Sequence, residues 1–228
     1  MSQRHKEARF NPKLRPDMTP QQIAEMFDDF ADDYDEEVVA KGLRAHEVVG
    51  DFMAKTYPES DRSSVKVLDV GAGTGFVGIK LKELGFSYID ALDPAQKMLD
   101  IAKTKNVYRR LLCAFMDKNR VEEIETDFYD CITATAAFNE GLVPCNAFPQ
   151  MIRIVKPGGR IVFTVPQKNI DNAVEYRGRL IPLIDKMAAE GVWEVTAVPL
   201  ADGQLAHSLG PGFLYSLKVN VSEKYFEI

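Results

Sequence analysis

The period of the apolar positions changes near residue 60. Ahead of that point the pattern is helical. Thr19-Pro20 places a hydroxyl cap before a proline at the first helical position, which predicts a helix to about Phe30. A second helix is expected from near Asp35 to Thr56, with Val38, Val39, Leu43, Val48, Val49 and Phe52 recurring on one side. Residues 57–64 (YPESDRSS) read as a polar linker. Beyond it short strands and helices alternate. Strands are predicted at 65–70, 87–92, 110–115, 129–135 and 159–165, and helices at 75–84, 95–104, 146–155 and about 169–190. Two further strand runs, 192–199 and 212–221, follow without a clear helix between them. Alternation implies a mostly parallel sheet covered on both faces. Its last two strands imply a hairpin, with one antiparallel edge strand. The expected organisation is a flexible stretch at 1–18, a helical extension at 19–60 and an α/β domain at 61–228.

Composition narrows this only a little. A chain of 228 residues, 46% apolar and 27% charged, can bury a core, and its net charge of −6 includes no basic block. Nucleic acid as the main partner is therefore disfavoured. Acidity gathers at 28–37 (DDFADDYDEE), which reads most simply as a solvated surface. No apolar run approaches the roughly 20 residues that cross a bilayer, and no secretory h-region is visible. Cys113, Cys131 and Cys145 lack C-x-x-C spacing. With Cys113 and Cys131 in strand-like runs, they read as reduced, buried thiols of a cytoplasmic protein. His5, His46 and His207 lie far apart and form no ligand pair, so no structural metal is expected.

The chemistry concentrates in residues 67–78, VLDVGAGTGFVG. A strand–glycine–helix turn presents backbone N–H groups at a helix N-terminus and lets a ligand approach the backbone closely. Taken from Gly73, the stretch is a literal G-x-G-x-x-G, the dinucleotide fingerprint, and Asp93 stands 20 residues on, where a ribose-binding acid belongs. Taken from Asp69, it is D-V-G-A-G-T-G, a loop that suits S-adenosylmethionine. An acid after the second strand serves either adenosine-containing ligand. Three features favour the second reading. The loop lies behind a two-helix segment, Asp69 interrupts the apolar run before the first glycine, and the sheet ends in a hairpin rather than a doubled mononucleotide unit.

The neighbouring stretches agree. VLDVGAGTG, ALDPAQKMLDIAK (91–103), DFYDCITATAAF (127–138) and IVKPGGRIVFTV (154–165) resemble the successive motifs of class I S-adenosylmethionine-dependent methyltransferases, in order and spacing. EGLVPCNAFPQMIRIVKPGG (140–159) and GVWE (191–194) resemble a narrower methyltransferase-like group, that of the Williams–Beuren syndrome region, whose substrate is poorly defined. The resemblance implies a Rossmann-like class I methyltransferase fold: a mostly parallel seven-stranded sheet, an antiparallel C-terminal edge hairpin and an N-terminal helical extension.

It also implies site residues. Gly71, Ala72, Gly73 and Gly75 would form the loop under the cofactor's methionine part and ribose. Asp69 would orient that loop or meet the ligand's ammonium, or simply bond nearby N–H groups. Asp93 would take the two vicinal ribose hydroxyls, alone or while capping the helix that begins near Pro94. Pro94 and Met98 would flank the adenine, with Met116 and Asp117 at its edge and Thr135 at the end of the fourth strand. Phe27, Phe30, Ala31, Tyr34 and Asp35 resemble an F-x-x-x-A-x-x-Y-D element that lies over the cofactor, so Tyr34 is a candidate contact on a lid. Gly78 reads as a close-packing position on the first helix.

The inferred reaction is in-line displacement at the sulfonium methyl, with catalysis by positioning. The [DN]-P-P-[YF] motif of some amino-group methyltransferases is missing from ATAAFNEG (134–141), which counts against base or amide N-methylation by that route. Asn139 and Glu140 face the acceptor or serve the local fold; Glu140 and His207 are the only candidate bases. The acceptor is expected to be a small molecule. A non-catalytic S-adenosylmethionine-binding scaffold is the alternative, ahead of an NAD-linked oxidoreductase.

Overall fold

The computed structural model describes residues 14–206 and 208–221. Two helices come first. Helix α1 (Pro20–Ala40) begins in a reciprocal capping box: the Gln22 N–H donates to Thr19 Oγ1, and the Thr19 N–H donates to Gln22 Oε1. It runs through the expected break near residue 30 and stops at Lys41. There Gly42 takes a left-handed φ of 61°, its N–H donates to the Val39 carbonyl, and the Leu43 N–H reaches back to the Val38 carbonyl. This double bond pattern ends helices at a glycine. Helix α2 (Ala45–Thr56) therefore starts ten residues later than its apolar period suggested.

The remainder forms one seven-stranded sheet: β1 (Lys66–Val70), β2 (Tyr88–Asp93), β3 (Arg110–Cys113), β4 (Tyr129–Ala134), β5 (Val155–Pro166), β6 (Trp193–Leu200) and β7 (Gly212–Val219). Spatial order is β3-β2-β1-β4-β5-β7-β6. The strands β1 to β5 pair in parallel, and β7 runs antiparallel to both β5 and β6. The expected fold class and terminal hairpin are both present, with β7 inserted so that β6 takes the outer edge. Interleaved helices are α3 (Phe76–Glu83), α4 (Gln96–Thr104), α5 (Phe148–Ile154), α6 (Gln167–Asn172) and α7 (Leu180–Ala189). The single helix expected over 169–190 is thus two, separated by a turn that contains Gly178.

Strand residues alternate between two cores because successive side chains point to opposite faces. Val67, Ile89, Cys131 and Val162 join α2 and α3 residues such as Val49, Met53 and Leu81 on one face. Leu68, Val70, Ile132 and Phe163 join Phe148, Tyr176, Ile184 and Trp193 on the other. Central strands buried on both faces explain their continuous apolar runs. Cys113 corrects its expectation: it ends the edge strand β3 and is exposed, whereas Cys131 and Cys145 are buried. His5 and His207 lie outside the described residues, as does the expected flexible stretch up to residue 13.

Candidate functional site

The strand order reverses between β1 and β4, and open α/β sheets hold ligands beyond the C-terminal ends of the strands at such a point. A partly enclosed cleft occupies this point. Its floor comes from Val70, Gly71 and Gly73 after β1, from Leu92, Asp93, Pro94 and Met98 after β2, and from Phe115, Met116, Thr135 and Ala136 beyond β3 and β4. Its roof is α1, through Pro20, Ile23, Ala24, Phe27 and Tyr34.

Asp93 organises the floor. Its Oδ2 accepts the Gly73 N–H at 2.8 Å and its Oδ1 accepts the Ala95 N–H at 2.9 Å. Each oxygen retains a lone pair for a ligand hydroxyl. Burial pushes the carboxyl up to about 6, against the downward pull of those two N–H donors. The N-terminal cap of α4 comes instead from the roof: Asp28 Oδ1 accepts the Lys97 N–H at 2.7 Å.

The glycine loop is shaped for a ligand at two positions. Gly71 and Gly73 have φ of 67° and 53°, and a methyl group added at Gly73 would meet only the Tyr34 ring, 4.0 Å away. Above it, burial and then the neighbouring Asp93 raise the Tyr34 hydroxyl to about 12. Thr135 Oγ1 is buried without a hydrogen-bond partner. An orphaned hydroxyl costs about 1–3 kcal/mol when nothing meets it, so this position favours a ligand's polar atom.

Four expected residues sit outside the lining. Asp69 is buried beneath the loop, where its Oδ2 accepts the Tyr108 hydroxyl at 2.6 Å and its Oδ1 accepts Thr133 Oγ1–H at 3.0 Å. Burial raises its carboxyl to about 7 despite those bonds. Tyr108 also accepts the Gly78 N–H at 3.1 Å, and its ring occupies the space beside Gly75 and Gly78. Gly78 is therefore a packing glycine, and Gly75 faces Tyr108 rather than the cleft. Ala72 packs with Ala91 and Leu99. Asp117 turns outward to bond the Asn119 backbone and side chain.

Sequence reasoning missed Tyr108 and most of the roof. Pro20, Ile23, Ala24, Phe27 and Tyr34 recur at helical spacing, which was the available signal. The roof is fastened by Asp35, whose Oδ1 accepts Thr74 Oγ1–H at 2.5 Å and whose Oδ2 pairs with Lys105 at 2.7 Å.

A second, more open cavity adjoins the cleft, sharing Phe27, Tyr34, Ala136 and Leu142 with it. Ala136 holds a left-handed φ of 56° at this junction. Such a conformation in a non-glycine residue stores strain, a feature that clusters at functional sites. Asn139 lines this cavity, whereas Glu140 lines neither and accepts the Val174 N–H at 2.7 Å. Among the described residues no cluster could hold a metal ion, and no helix is long and apolar enough to cross a membrane.

The methyltransferase domain family matches residues 42–202. The chain belongs to that family. It is an S-adenosylmethionine-dependent methyltransferase, and the nicotinamide reading of the glycine loop falls away. Human methyltransferase-like protein 27 is 31% identical over 179 residues, covering 78% of this chain and 70% of that one. The demethylmenaquinone methyltransferase of Renibacterium salmoninarum is 29% identical over 177 residues, covering 74% of this chain and 70% of its own. Among solved structures, a SAM-dependent methyltransferase of Leishmania major superposes with a TM-score of 0.64 at 18% identity, covering 92% of this chain and 87% of its own. That likeness concerns the fold.

Proposed function

We propose that this methyltransferase acts on a small-molecule acceptor by in-line displacement, with the sheet-side cleft holding the cofactor and the adjoining cavity holding the acceptor. The observation that carries the reading is the junction: the two spaces meet only one side chain's width from the glycine loop, at Tyr34 and Ala136. Bound S-adenosylmethionine supplies a methyl group already activated on a sulfonium.

The chain's own residues hold and enclose. Asp93 accepts the ribose hydroxyls while its N–H bonds keep both oxygens oriented. Gly71 and Gly73 admit the methionine part and Thr135 Oγ1 meets one of its polar atoms, while Pro94, Met98 and Met116 flank the adenine. Helix α1 is the lid: Phe27 and Tyr34 exclude water from the reacting methyl, with Asp28 and Asp35 latching the helix to α4 and to the loop. Alignment of the acceptor at the junction supplies most of the rate, because holding two reactants in a near-attack geometry is worth up to about 7–11 kcal/mol.

No general base is assigned. Glu140 is committed to the Val174 backbone, and an amine or thiolate acceptor needs no base. A cytoplasmic setting is part of the same proposal, supported by three unpaired cysteines. The test has two arms. Calorimetry with S-adenosylmethionine, S-adenosylhomocysteine and NAD should give saturable binding by the first two alone. Methyl-labelled cofactor with fractionated small-molecule extracts should then label a small product; labelling of protein or RNA alone would overturn the acceptor assignment.

A further inference from the structure

The acceptor cavity carries information about what fills it. Its walls are largely apolar, and four aromatic side chains, Phe27, Phe30, Tyr34 and Phe138, contribute to them. Into this surface α1 inserts one carboxylate, Glu37. Its side chain is only 15% exposed and is ion-paired with Lys41, which also lines the cavity and whose Nζ lies 3.3 Å from Oε2, yet Oε2 accepts no hydrogen bond. No described group donates a hydrogen bond to that oxygen. A covered carboxylate oxygen with no hydrogen-bond donor carries a cost that the ion pair offsets only in part, and a ligand donor removes it. Glu37 follows Tyr34 by three residues, about one turn or ~4.5 Å along the helix. It therefore stands just beyond the junction where the methyl is delivered. Lys168, a cation that also lines the cavity, is turned to the Ser208 carbonyl at 3.3 Å.

We infer that the acceptor is a flat, apolar, ring-bearing molecule whose hydroxyl or amino hydrogen is donated to the Glu37 carboxylate. The inference rests on the acceptor side of the function proposed above. Aromatic walls favour ring contacts by edge or offset face. The free carboxylate oxygen selects a donor over an acid of the same shape, which has no hydrogen to give it once ionised, so Glu37 sets specificity and orientation, while the reacting atom faces Tyr34 and Ala136.

Three probes of one shape test it: naphthol, naphthylamine and naphthoate, titrated by equilibrium dialysis into protein saturated with S-adenosylhomocysteine. Naphthol and naphthylamine should bind at least about 10-fold more tightly than naphthoate, and the better of the two identifies the donor. Glu37→Gln, nearly isosteric, should weaken the preferred probe by about 10-fold and narrow the preference over naphthoate. Glu37→Ala should abolish the preference. Both variants should hold S-adenosylhomocysteine within about twofold of wild type, a readout that a folding defect would move. Equal or tighter binding of naphthoate, an unchanged preference in Glu37→Gln, or no saturable binding by any probe overturns the inference. Failure of the wild-type protein to take up S-adenosylhomocysteine would instead refute the cofactor site itself.

Discussion

On the sheet side of the cleft, Gly71, Gly73 and Asp93 are set by strand ends whose neighbours are buried on both faces, and Asp93 is tied to two backbone N–H groups. The opposite side is a single amphipathic helix, α1, latched through a few polar contacts from Asp28 and Asp35. One wall inherits the rigidity of the sheet. The other rests on bonds that are partly exposed and individually worth about 1 kcal/mol. On the function proposed above, the difference separates affinity from access: the floor would decide whether the cofactor is held, and the roof how fast it comes and goes and what meets it.

The largest effect should come from the floor. Asp93→Ala removes the proposed ribose acceptor and the brace on Gly73, and S-adenosylhomocysteine affinity should fall by about 100-fold or more in calorimetry. Next is pH. Asp93 titrates near 6, so affinity should be level above that value and fall by up to about 10-fold per unit below it. Stability without ligand should move the other way. The folded-state values of Asp93 and Asp69, about 6 and about 7, both lie above the ordinary 3.8, so the native state keeps protons that the unfolded chain has released. Each group's contribution is complete below about pH 4 and is lost as pH rises through its folded value. Denaturant unfolding should show a decline between about pH 4 and 7 that Asp69→Asn flattens.

The smallest effect belongs to the roof. Asp35→Ala breaks the pairs to Thr74 and Lys105 and should speed S-adenosylhomocysteine release about fivefold in stopped flow, with the unliganded thermal midpoint nearly unchanged. A roof variant that abolished affinity as Asp93→Ala does would erase the distinction between the two walls.

The same division governs what could be read from residues alone. The strands, their order of appearance and the floor residues Gly71, Gly73 and Asp93 follow from local patterns, because a βα turn at a switch point is built by contiguous sequence. Asp69 had the right address and another occupation, since its partners Tyr108 and Thr133 lie 39 and 64 residues away and carry no local mark. The break between α1 and α2 was signalled by Gly42, but the apolar period runs on past it and hid the stop. Asp117 lies in the expected loop, where its carboxylate accepts from the Asn119 backbone and side chain. The second cavity draws on α1, the segment after β4 and residues beyond Leu200, so only the folded chain assembles it.

The most direct test of the two-walled account is a crystal structure with S-adenosylhomocysteine bound. The account predicts the ribose hydroxyls on Asp93, the ligand beneath α1, and the sulfur facing the junction formed by Phe27, Tyr34, Ala136 and Leu142. A ligand bound elsewhere, or one whose sulfur points away from the second cavity, would contradict it.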